Sequence, residues 1–314
     1  MDLTKFLDPK CDLTFKRIFG SEKNKSILIH FLNDILGFTA ESKIQEVEFL
    51  STIMDPEIAS DKQSIVDILC KDSANNRFII EMQVARDKGF EKRAQLYAAR
   101  AYSRQLDRSG NYVDLQKVYF IAIANCNLFP EEVDYISTHN IRDINTNGNY
   151  LKDLQFVFIE LLKFPKNEVK QLENIVEKWC FFFKYAEDTT DEDLKKIARR
   201  APVIKQAYEE LNKFHWDEKD LLAYEERIMD LRKEEAIIEY RIDLATAKGR
   251  EEGREKGRKE GREEGREEGR KAREIEVAIN SLKSGISVDT VAKITGLPID
   301  KVKQLQEELL SCDS

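Results

Sequence analysis

The chain has 314 residues, 35% of them charged and 41% hydrophobic, with 51 Lys+Arg against 59 Asp+Glu for a formal net charge of −8. The apolar fraction excludes wholesale disorder, and at roughly 100–200 residues per domain the length calls for two or three structural units. The negative total does not exclude nucleic acid, because a bulk charge averages over local patches. Cys11, Cys70, Cys126, Cys180 and Cys312 are scattered and form no CxxC pair, so they read as reduced thiols of a cytoplasmic protein. The opening MDLTKFLDPKCDLTFKR carries charges where a secretory leader needs an apolar core. The longest apolar runs, such as VYFIAIA at 118–124, fall short of the ~20 residues of a membrane span, so no membrane is expected. With only three histidines, His30, His139 and His215, any metal site is expected to use carboxylate oxygens, favouring Mg²⁺, or Mn²⁺, over zinc.

In chain order, residues 12–36 place Phe15, Ile18, Phe19, Ile27, Leu28, Phe31, Leu32, Ile35 and Leu36 mostly at helical spacings, with a break near Gly20. Residues 64–70 and 78–84 are apolar, β-branched runs separated by KDSANNR, which is hairpin chemistry. The pattern predicts a helix from about Gly89 to Leu106, then buried strands at 117–124 and 154–161. Strands interleaved with helices up to residue 165 predict an α/β domain. Residues 166–245 turn helical and acidic, 246–274 carry a Gly/Arg/Glu repeat, and 275–314 recover a short helical pattern.

The informative stretch is Ile65-Val66-Asp67-Ile68-Leu69 followed by Ile79-Ile80-Glu81-Met82-Gln83-Val84. An ionised carboxylate inside an apolar strand is costly unless it is paired, protonated or holding a cation. Strand alternation puts Glu81 and Gln83 on one face, and an antiparallel register placing Asp67 opposite Glu81 or Gln83 adds Asp67 to it. The first register leaves the loop Ser73-Ala74-Asn75 and the second Ala74-Asn75-Asn76; such loops need a residue in the left-handed region, which Asn tolerates. Two carboxylates and an amide on one wall can hold a divalent cation that activates water toward a phosphodiester. The bland alternative is a pair of unrelated acids at a solvated sheet edge.

On the following helix, Arg93, Tyr97, Arg100, Arg104 and Arg108 fall within about 80° at ~100° per residue. Leu96, Ala99, Tyr102, Ser103 and Leu106 occupy the opposite sector, which is expected to face the sheet. Residues 86–108 hold seven basic and three acidic side chains. An arginine stripe with an aromatic in it suits contact with a phosphate backbone; a solvated helix face is the alternative.

The run SIVDILCKDSANNRFIIEMQVARDKGFEKRAQLYAARAYSRQL resembles the PD-(D/E)XK nuclease family transposases, the recombination-promoting nuclease group. DLTFKRIFGSEKNKSILIHFLNDIL matches that family's opening helix, and GNYVDLQKVYFIAIA and LQFVFIELLKFPK its later core strands, over roughly residues 8–190. The resemblance implies an α/β, restriction-endonuclease-like core with a helical C-terminal extension, cutting DNA with Mg²⁺. Asp67 and Glu81 would bind metal, and Gln83 stands where the wider superfamily has the lysine of its ExK motif. ExQ is usual in this family, but a neutral amide orients water without neutralising charge; Arg93 is the candidate for the missing positive charge. Asp12 and Lys16 also match family positions.

Glycines recur at 249, 253, 257, 261, 265 and 269, each followed by arginine. As a helix this costs about 1 kcal/mol per glycine relative to alanine. A homodimer packed along the Gly249–Gly269 stripe and a frayed, solvated spacer both fit. Beyond it, Ser287, Gly296 and Pro298 punctuate a helix-turn-helix-like pair in which Lys301 and Lys303 open the second helix, with a plain packing hairpin as the alternative. The functional expectation is a cytoplasmic, Mg²⁺-dependent DNA endonuclease related to transposases and promoting recombination. In it Gln83 positions the attacking water, and Arg93, Tyr97, Arg100 and Arg104 contact DNA. The alternatives are a catalytically lapsed DNA-binding or regulatory protein on the same fold, and a helical oligomerisation protein.

Overall fold

The computed structural model describes residues 4–54, 64–106 and 110–312 and divides into two compact units, residues 1–230 and 231–314. The first unit opens with α1 (Asp12–Phe19) and α2 (Lys25–Leu36), separated at Gly20 as the spacing predicts. Strands β1 (Val47–Phe49), β2 (Ile53–Met54), β3 (Ser64–Ile65), β4 (Ile68–Asp72) and β5 (Arg77–Gln83) follow, then α3 (Phe90–Ser103). After it come β6 (Val118–Ala124), β7 (Ile136–Ile141) and β8 (Leu151–Glu160), then α4 (Ile175–Tyr185), α5 (Asp191–Ala198) and α6 (Pro202–Leu211). The helix α7 (Glu218–Lys283) begins in the first unit and continues into the second, which ends with α8 (Val288–Thr295) and α9 (Ile299–Cys312).

Six strands form one sheet in the order β1-β4-β5-β6-β8-β7, and β2 pairs with β3 separately. The β4–β5 hairpin is antiparallel, while β5–β6 and β6–β8 are parallel. Parallel strands need cover on both faces, and β6 is buried at every position. On one face Tyr119, Ile121 and Ile123 meet the helical layer, where Phe15, Phe19, Phe31, Trp179, Phe182, Phe183 and Tyr208 form an aromatic core. Phe19 stacks on Phe183 with centroids 5.6 Å apart, and Trp179 donates its indole N–H to Asp34 at 2.8 Å. On the other face Ile79, Phe120, Ala122, Ala124 and Phe158 pack against α3.

The stripe of α3 that meets the sheet is Phe90, Ala94, Ala98 and Ala101, all essentially buried. This corrects the sequence-based orientation: Leu96 is 48% exposed, and Ala99 and Ser103 are also exposed. Bulk apolar side chains weigh heavily in a periodicity reading, but alanines on both sides let helix and sheet approach closely, and Phe90 anchors the end. The arginine side therefore flanks the buried stripe instead of lying opposite it.

Behind β6, Glu160 at the end of β8 is fully buried and accepts the N–H groups of Leu128 (2.6 Å) and Phe129 (3.2 Å). The Lys163 ammonium sits 3.0 Å from its other oxygen and also donates to the carbonyls of Phe129, Pro130 and Val133. This buried pair pins the loop that follows β6.

In the second unit α7 stays helical through the glycine repeat, exposed throughout 249–271. Ala278, Val291, Val302 and Leu305 join its last turns to α8 and α9 in a small core. Ser287 starts α8, Gly296 ends it in the left-handed region (φ +74°), and α9 begins just after Pro298.

Candidate active site

The hairpin takes the register Ile68↔Ile80 and Leu69↔Ile79, the one that sets Asp67 opposite Glu81. Its loop is Ser73-Ala74-Asn75, with Asn75 at φ +62°, and the Asp72 carboxylate accepts the N–H groups of Ala74 and Asn76 at 2.9 Å each. Asp67 itself lies in a break between β3 and β4, not inside a continuous strand. That break frees its N–H from the ladder, and the N–H donates to Glu81 Oε1 at 3.2 Å. Met82 N–H in turn donates to Asp67 Oδ2 at 2.9 Å. The two acids thus share the α3 face of the sheet, each held by the backbone of the other's strand.

Glu81 is only 6% exposed, and burial together with the neighbouring Asp67 charge pushes its carboxyl up to about 8. Asp67 is also raised, chiefly by burial, against the opposing pull of the Met82 N–H and the Lys16 charge. Lys16 Nζ, from α1, stands 4.0 Å from Asp67 Oδ1. One turn earlier Asp12 pairs with Arg227 of α7 at 3.2 Å, and its charge adds to the upward shift of Asp67. The opening helix therefore does bring Asp12 and Lys16 to the vicinity of the acids.

Gln83, two residues beyond Glu81 on the same face, has both ends of its amide engaged. Its nitrogen donates to Ala85 O, and its oxygen accepts from Arg93 Nη2 at 2.7 Å. Arg93 Nη1 lies 2.7 Å from Asp87 Oδ2, and the guanidinium sits over the Phe90 ring, 4.9 Å from its centroid. Tyr97 is half-buried beside the acids: burial, then the Glu81 charge, raises its hydroxyl. Arg100 follows on the same flank, and Arg104 caps the C-terminal end of α3, while Arg108 lies outside the described residues.

Sequence reasoning missed two cations. Arg77, the first residue of β5, donates to the carbonyls of Ala101 (2.9 Å) and Arg104 (3.3 Å) and so closes the last turn of α3. A basic residue there satisfies orphan carbonyls and complements the helix dipole, but in sequence it looks like a turn residue. Arg227, 215 positions from Asp12, gave no signal at all.

Among the described residues no group of three or more His, Cys, Asp and Glu side chains converges as a ready cage for a metal ion. The donor set nevertheless suits a divalent cation. Two facing carboxylates, both raised by burial and Glu81 further by the Asp67 charge, are the arrangement a hard cation relieves through oxygen ligation. Cys11, Cys70, Cys126 and Cys180 are buried thiols with raised pKa, Cys11 to about 11, and none supplies a nucleophile. Among the described residues no helix is long and apolar enough to cross a membrane.

No curated protein and no solved structure matches the chain. A sequence model of the PD-(D/E)XK nuclease family transposases matches residues 9–241, from just before α1 into α7 and across both acids. The match spans most of the chain, including the mixed six-stranded sheet: the chain belongs to the PD-(D/E)XK nuclease family transposases.

Proposed function

We propose that the protein is a Mg²⁺-dependent endonuclease that hydrolyses phosphodiester bonds in DNA, acting in recombination. The observation that carries this reading is the Asp67–Glu81 pair, facing across the hairpin on the side where α3 presents cationic side chains. Asp67 and Glu81 would hold the cation, with Mn²⁺ as a substitute. When bound there, a divalent cation stabilises charge on the phosphoryl oxygens and lowers the pKa of water. Asp67 and Glu81 fix where that charge is met, and their strand N–H partners keep the carboxylates from turning away. Tyr97, Arg100 and Arg104, with Arg93 nearest the acids, form the flank that would contact the backbone phosphates. Overall, water adds across one P–O bond: its oxygen bonds to phosphorus, the deoxyribose oxygen leaves with a proton, and a phosphomonoester remains.

Pairing of two chains along α7 belongs to the same proposal. A Cβ built on any of the six glycines from Gly249 to Gly269 meets nothing within 4 Å, so that stripe lies open to a second helix.

Cleavage of supercoiled DNA in Mg²⁺ by the wild-type chain, lost in Asp67→Ala and in Glu81→Ala, is the expected result. Undiminished cutting by both variants would remove the site. DNA binding without cutting by the wild type would favour the lapsed, DNA-binding reading on the same fold.

A further inference from the structure

We infer that Gln83 is a positioning residue that acts through Arg93: its amide holds the guanidinium beside Asp67 and Glu81. The positive charge absent from position 83 thereby arrives from α3. This deepens the nuclease reading and rests on it.

Both polar atoms of the Gln83 amide are already used, the nitrogen on Ala85 O and the oxygen on Arg93 Nη2 at 2.7 Å. An amide so occupied is poorly placed to orient a water. The guanidinium, by contrast, is fixed from three directions: by Gln83, by Asp87 at 2.7 Å, and by the ring of the fully buried Phe90. Gln83 stands two residues beyond Glu81 on the same face of β5, so the guanidinium bonded to it is held on the side of the sheet that carries the acids. Lys16 also points its charge at the pair, but through one 4.0 Å contact from a side chain that is 49% exposed. A planar guanidinium held by two hydrogen bonds loses little further freedom when a phosphate arrives, whereas a flexible ammonium has still to be ordered. Charge fixed beforehand, where negative charge grows on the phosphoryl oxygens, is the form of electrostatic help that needs no rearrangement during reaction.

The test is a double-mutant cycle on the full-length chain with Arg93→Ala, Gln83→Ala and the double variant. Cleavage of supercoiled DNA in Mg²⁺ is read as kcat and KM, and Mn²⁺ affinity is read by electron paramagnetic resonance. Arg93→Ala is expected to lower kcat by about 10²-fold, the usual loss for one preorganised electrostatic group. Gln83→Ala should lose part of that, and the double variant no more than Arg93→Ala alone. Losses that multiply would mean that Gln83 acts independently and would overturn the inference. Removing or loosening the nearby cation should tighten Mn²⁺ binding several-fold in both single variants. Weaker Mn²⁺ binding in Gln83→Ala would show the amide touching the ion itself, which also overturns it. A wild-type chain that binds Mn²⁺ but cuts no DNA would sink the nuclease reading, and the Mn²⁺ cycle alone would then decide the role of Gln83.

Discussion

Asp67 and Glu81 are joined through their backbones as well as their charges: the Asp67 N–H binds the Glu81 carboxylate, and the N–H after Glu81 binds the Asp67 carboxylate. Each acid is therefore kept close to a like charge by an N–H bond that itself favours ionisation, while burial opposes it.

That conflict gives a pH dependence with a definite sign. The Glu81 carboxyl moves from an ordinary 4.5 to about 8 on folding. Between those values the folded chain binds the proton more tightly than the unfolded chain, so stability falls as pH rises through that window. Glu81→Gln should melt higher than wild type at pH 8 without divalent cations, by about 5 °C, and the gap should close toward pH 4.5. A calorimetric gap that does not change with pH would show that Glu81 is not strained.

Divalent cations should reverse the trend. Binding at Asp67 and Glu81 needs both carboxylates ionised, so the Mg²⁺-induced rise in melting temperature should grow from pH 6 to pH 8. In Asp67→Asn the rise should vanish.

The Glu160–Lys163 pair is a structural clamp with no role in the proposed chemistry. Lys163→Met strands a buried carboxylate and should cost about 3–5 kcal/mol in urea denaturation. Glu160→Gln should cost less, because its amide oxygen still accepts from Leu128 and Phe129.

The hairpin turn offers a conformational test. Asn75, at φ +62°, should accept glycine with little change, whereas Asn75→Val should lose about 1–2 kcal/mol for forcing a β-branched residue into the left-handed region.

For α7, Gly257→Leu with Gly261→Leu raises helix propensity while filling the open stripe. Sedimentation equilibrium should find a dimer for the wild-type chain and a monomer for the variant. An unchanged mass would detach the glycine stripe from association.

Much of this site was legible because strands and turns obey short-range rules. Alternation placed Glu81 and Gln83 together, and the turn chemistry permitted either of the two registers that add Asp67 to their face, of which the structure takes Asp67 opposite Glu81. The facing of α3 was not legible, since Ala94, Ala98 and Ala101 contribute little apolar weight although they make the contact. The edge strand β7, with Ser137, Thr138, His139 and Asn140, has no apolar alternation to announce it. The Asp12–Arg227 pair and the Arg77 cap join residues far apart in sequence, where no periodicity reaches.

The alanine stripe of α3 sets how near Arg93 stands to the acids. It works as a spacer of fixed thickness between the basic flank and the carboxylates. Widening it, as Ala98→Leu would, lifts the helix without altering any residue of the site. Turnover by the proposed nuclease is therefore expected to be adjustable from beneath the helix, by side-chain volume alone.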